Sequence, residues 1–138
     1  MNQPEKFSLG RIIIFGHHVD KLKSFYADNF NLVVTEEIKD QWIVLNSGKA
    51  ELAIHKTGTE YEPEDGEEFR AESNTKLVFY TNDNLEIIRQ RLLDKDVTIG
   101  SIKSFEGINS LFCDGEDPEG NVFQIEQRLS CKASINFV

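Results

Sequence analysis

The chain has 138 residues, 39% of them apolar, and 24 acids against 15 bases give a net charge of −9. That length and composition support a hydrophobic core without metal or disulfide staples and exclude a disordered or low-complexity chain. The charge balance repels nucleic-acid backbone and anionic lipid. No apolar run approaches a membrane span, and the start MNQPEKFSLG lacks a signal-peptide core. The expectation is a cytoplasmic protein with no nucleic-acid or membrane partner. In that compartment Cys113 and Cys131, with no Cys-x-x-Cys spacing, are free thiols.

In chain order, Arg11-Ile-Ile-Ile-Phe15 reads as a strand of branched and aromatic residues. A helix follows, with Leu22, Phe25, Tyr26 and Phe30 on one stripe and Asp20 near its start, where a negative charge suits the dipole. His17 and His18 sit in the turn before it and support the helix start. Strands are predicted at 32–38, 41–46 and 50–55. Residues 56–73 then contain seven acids, two glycines and a proline, a solvated linker. Lys76-Leu-Val-Phe-Tyr80 opens a second series. Its helix carries Leu85, Ile88 and Leu92 on one face, with Asp83 and Glu86 placed as a capping box. Strands at 97–103, 108–113 and 121–127 complete it, the last introduced by the acidic turn Gly115 to Gly120. The tail from 129 to 138, with Ile135, Phe137 and Val138, is apolar enough to dock on a neighbour or on its own domain.

A shift of 65 residues lays Arg11–Phe15 on Lys76–Tyr80, Leu22 on Ile87, Leu32 on Val97 and Val34 on Ile99. The predicted fold is therefore α+β: two tandem βαβββ modules whose strands form a curved, cup-shaped mixed sheet with the helices on its outer face. The expected layout is a single domain over 1–138: module 1 at about 9–56, an acidic linker at 57–73, module 2 at about 74–128, and the tail. Alternation puts Ile12, Ile14, Leu52 and Ile54 on the face beneath the first helix, and Leu77, Phe79, Phe123 and Ile125 beneath the second. Arg11, Phe15, Glu51, His55, Lys76, Tyr80, Gln124 and Glu126 share the mixed, inner face. A concave surface with converging polar groups is the default place for a ligand.

The paired βαβββ plan, the Phe25-Tyr26 pair, Asp83 opening the second helix and the closing DPEGNVFQIEQ (117–127) together resemble the vicinal oxygen chelate superfamily. That group includes glyoxalase I, extradiol dioxygenases, fosfomycin-modifying enzymes and bleomycin resistance proteins. The fold hosts many chemistries, so the resemblance is specific for architecture rather than activity. Its metal enzymes present His, Glu or Gln from the first and last strands of each module. The matching positions here are Arg11, Glu51, Lys76 and Gln124. A guanidinium offers no lone pair, and an ammonium must lose its proton before it can ligate. Only Glu51 and Gln124 remain as donors, with His55 as a displaced third.

Two readings follow. The first is a metal-free, small-molecule-binding protein of the bleomycin resistance type, with no catalytic residue assigned and with Arg11, Phe15, Trp42, Glu51, His55, Lys76, Tyr80 and Gln124 lining the cavity. In it, Arg11 pairs with Glu51. Lys76 and Gln124 either close the network or leave one positive charge for an anionic substrate group. The acidity of the chain and of segment 60–72 favours a cationic or zwitterionic ligand at the mouth. The second is a lyase or isomerase of the lactoylglutathione lyase type, or a dioxygenase-related enzyme, with a divalent ion on Glu51, His55 and Gln124. The resemblance also implies a homodimer.

Overall fold

The computed structural model describes residues 5–58 and 70–129, which fall into two compact units divided between Phe69 and Arg70. Most of the predicted linker, nearly all of the tail and Cys131 lie outside the described residues. Each unit is one βαβββ module, so the predicted repeat is the architecture of the chain.

Module 1 runs β1 (Arg11–Gly16), α1 (Val19–Phe30), β2 (Val33–Ile38), β3 (Trp42–Asn46) and β4 (Glu51–Lys56). Its sheet has the order β1-β4-β3-β2, with β1 parallel to β4 and the other pairs antiparallel. Helix α1 ends at Asn31, whose left-handed backbone (φ 55°) is the usual way to turn out of a helix. It packs on β3 and β4, burying Leu22 and Tyr26 completely with Ile43, Leu45 and Ile54. Removing a core leucine such as Leu22 costs about 2–5 kcal/mol. Ile12 was expected beneath the helix but is 41% exposed, because β1 is the sheet edge and α1 sits over the middle strands.

Module 2 runs β5 (Leu77–Thr81), α2 (Leu85–Asp94), β6 (Thr98–Ile99), β7 (Ser110–Glu116) and β8 (Val122–Arg128), in the order β5-β8-β7-β6 with β5 parallel to β8. Leu85, Leu92, Phe123 and Ile125 form its core. Three details depart from expectation. The helix cap is Asn84, whose Oδ1 accepts the Ile87 N–H at 3.1 Å, so the Asp83–Glu86 box does not form. The strand predicted over 97–103 shrinks to Thr98–Ile99, plus a bridge from Lys103 to Phe112. Finally, β7 extends through Gly115 and Glu116, which had been assigned to the turn.

The turn itself is held by Asp117. Its Oδ1 accepts the Glu119 and Asn121 amides, both at 2.9 Å, and its Oδ2 accepts the Asn121 side-chain amide at 2.8 Å. Gly120 has φ 86°, a conformation that disfavours other residues. These bonds give the Asp-Pro-Glu-Gly-Asn run a physical role: they reverse the chain between β7 and β8.

Candidate functional site

In module 1, Arg11 and Glu51 are register partners on adjacent parallel strands and share a face. The guanidinium grips one carboxylate oxygen twice, Nε at 3.0 Å and Nη2 at 2.8 Å from Oε1. Both side chains are a little over one-third exposed, so the pair fixes geometry more than it stabilises the fold. The same guanidinium carbon lies 5.5 Å from the centre of the Trp42 ring. The Trp42 Nε1–H donates to Glu36 Oε2 at 2.6 Å. His55 is flanked by Phe15 (centroids 5.4 Å apart) and Trp42 (5.8 Å, edge-on). Its Nδ1 donates to the Lys56 carbonyl at 2.7 Å, which leaves Nε2 as the nitrogen that can accept. Thus Arg11, Phe15, Trp42, Glu51 and His55, all singled out in the sequence, form one cluster. Glu36 joins it unforeseen.

In module 2 the pairing differs from that of module 1. Gln124 is the register partner of Val78, so Lys76 lies two residues back along β5 from that level. Lys76 instead donates to Asp114 Oδ2 on β7 at 2.8 Å, and Gln124 Nε2 donates to Asp114 Oδ1 at 3.0 Å. Partial burial pushes the Asp114 carboxyl up. The hydrogen bonds from Lys76 and Gln124, with the charges of Lys76 and Lys103, outweigh that and hold it below its ordinary value. Tyr80 stands further along the same face, with the Arg128 guanidinium carbon 3.8 Å from its ring centre. Glu126 accepts the Ser110 hydroxyl at 2.7 Å. Asp114, Arg128 and Ser110 were not anticipated.

Each cation thus has a carboxylate in its own module, Arg11 with Glu51 and Lys76 with Asp114, and the spare positive charge considered for an anionic group is not seen on either residue. Arg11 has no lone pair to offer a divalent ion and engages Glu51 Oε1, while in module 2 the Gln124 Nε2 donates to Asp114. Among the described residues, no group of three or more His, Cys, Asp or Glu side chains is disposed to hold a metal.

No curated protein matches the chain. Solved structures share its architecture. Lactoylglutathione lyase from Agrobacterium tumefaciens is 16% identical, with a TM-score of 0.68 over 90% of this chain and 95% of that one. An integron cassette protein from the V. cholerae mobile metagenome is 18% identical, with a TM-score of 0.67 over 91% and 98%. The fosfomycin resistance protein FosX from Listeria monocytogenes is 11% identical, with a TM-score of 0.64 over 93% and 95%. At these identities the likeness establishes the fold alone. The family model for the Glyoxalase/Bleomycin resistance protein/Dioxygenase superfamily matches residues 8–125. With its paired βαβββ modules, the chain belongs to that superfamily.

Proposed function

We propose that this protein is a small-molecule-binding member of the superfamily that works without a catalytic metal, in the manner of the bleomycin resistance type. The observation that carries the reading is the double grip of Arg11 on Glu51 at the level where metal-dependent relatives place ligands. A permanently charged guanidinium there repels a dication and engages one oxygen of the carboxylate that would have bound it. The candidate ligand-facing residues of module 1 are Arg11, Phe15, Trp42, Glu51 and His55; those of module 2, taken by itself, are Lys76, Tyr80 and Gln124. With Arg11 and Lys76 matched by their own carboxylates, the ligand is cationic, zwitterionic or neutral rather than an anion captured by spare charge. We extend the reading to a cytoplasmic homodimer.

Metal analysis of protein purified without chelator tests this, together with thermal shift in the presence of small cationic and aromatic compounds. The expected result is sub-stoichiometric metal and stabilisation by a ligand that is recovered unchanged. Near-stoichiometric zinc, nickel, manganese or iron, or product formed from the ligand, would overturn it. Metal and product together would favour the second reading, a metal-dependent lyase or isomerase like the Agrobacterium lactoylglutathione lyase that shares this fold.

A further inference from the structure

The mixed face of module 1 is laid out in rows. Phe15, His55, Trp42 and Ile38 are register partners straight across the four strands; the next row is Ile13, Ala53, Val44 and Glu36, and the third begins Arg11, Glu51, Asn46. Successive rows on one face stand two residues, about 6.7 Å, apart along the strands. The middle row is low, since Ala53 is only a methyl group high. Arg11 and Trp42 stand on opposite sides of it and two strands apart, yet guanidinium and indole meet at 5.5 Å. They therefore lean towards each other across the middle row, where Val44 and Ala53 are buried at 1% and 0% exposure.

The indole is held from three sides. Arg11 lies on its ring face, the Glu36 carboxylate accepts its N–H, and the His55 ring meets it edge-on. A charged donor on the ring face and a charged acceptor at the ring edge are the recognition elements of a site for a flat heterocycle. Trp42 is the first residue of β3, so rotating its side chain would carry the ring away without breaking the backbone ladder.

We propose that Trp42 is an internal stand-in for the ligand of this face, a flat heteroaromatic ring with an N–H donor at its edge, and that such a ligand binds by displacing the indole from between Arg11 and Glu36. This rests on the small-molecule-binding reading above and names the ligand class. Trp42 acts as both gate and competitor, so the apparent affinity for the ligand is lowered by the fraction of molecules in which the indole is seated.

The chain has a single tryptophan, so 5-fluorotryptophan labelling of the full-length protein gives one ¹⁹F resonance, that of Trp42. Titration with indole is expected to move that resonance saturably. 1-Methylindole, which lacks the N–H, is expected to bind at least tenfold more weakly. Trp42→Gly removes the competitor, and indole is expected to bind it at least tenfold more tightly than wild type. Glu36→Ala on that background is expected to remove most of the gain. A resonance unmoved up to the solubility of indole, equal binding of 1-methylindole, or a folded Trp42→Gly variant with no gain would overturn the proposal. Should Trp42→Gly fail to fold, the wild-type titration decides. Stoichiometric metal would defeat the metal-free reading whatever the ¹⁹F result. An unmoved resonance alongside stabilisation by some other compound would defeat only the displacement by a heteroaromatic.

Discussion

Gly115 is where the core of module 2 and its site meet. It is buried in β7 opposite its register partner Phe123, which is fully buried. A methyl group built on it would collide with Phe123 Cζ, lie 2.9 Å from Phe123 Cε2 and lie 2.8 Å from the Thr98 carbonyl on β6. The carbonyl belongs to a paired backbone and the ring is enclosed, so neither neighbour can give way cheaply. Overpacking of this kind costs about 1–3 kcal/mol, and with two rigid obstacles Gly115→Ala belongs near the top of that range. At about 4 °C per kcal/mol for a domain of this size, Tm should fall by roughly 8–12 °C. Urea denaturation provides the free energy, and a double-mutant cycle with Phe123→Leu isolates the cause. Shrinking the ring in the Gly115→Ala background should recover about 1 kcal/mol relative to additivity. A loss below about 0.5 kcal/mol, or strict additivity, would refute the steric argument. Since Asp114 precedes Gly115 on the same strand, the substitution should also loosen the contacts with Lys76 and Gln124.

Other outcomes are equally specific. Folded Asp114 titrates below its unfolded value of 3.8, so its stabilisation is full above that value and is lost as pH falls through the folded one. The stability difference between wild type and Asp114→Asn, measured by urea titration, should be flat from neutrality to about pH 5 and shrink below about pH 4. Burial above all pushes the Cys113 thiol up to about 11, with Arg89 lowering and Asp114 raising it. At pH near 8, iodoacetamide should label Cys113 at least a hundredfold more slowly in folded than in unfolded protein, as read by peptide mass spectrometry. Comparable rates would show that the thiol is open. Asn84→Ala should cost about 1 kcal/mol in chemical denaturation while Asp83→Ala stays within about 0.5 kcal/mol, and the reverse order would restore Asp83 as the cap.

The repeat was legible because both modules begin with the same apolar strand and follow it with a helix of matching stripe. Module 1's cluster was legible for a related reason. The residues Arg11, Phe15, Glu51 and His55 occupy strands whose alternation fixes the face, and the parallel β1–β4 pairing happens to be level. In module 2 the contacts depend on register, and alternation fixes which face a residue is on but not which residue it stands beside. On β8, Gln124 stands level with Val78 rather than with Lys76. Asp114 was missed because Gly115 looked like the start of a turn, whereas it is glycine to admit the Phe123 ring. Asn84 displaced Asp83 as the cap because both types cap well and only the backbone geometry chooses between them. Glu36 was invisible as a partner of Trp42, since an exposed glutamate on an edge strand carries no signal of its own.

Among the described residues, the opening strand of each module pairs with the closing one, in the parallel pairs β1–β4 and β5–β8. A piece of chain that begins with the opening strand therefore leaves it unpaired unless it runs on through the closing one. Recombination of these modules therefore keeps every parallel pair only when the cut falls between them, never between an opening strand and its closing partner.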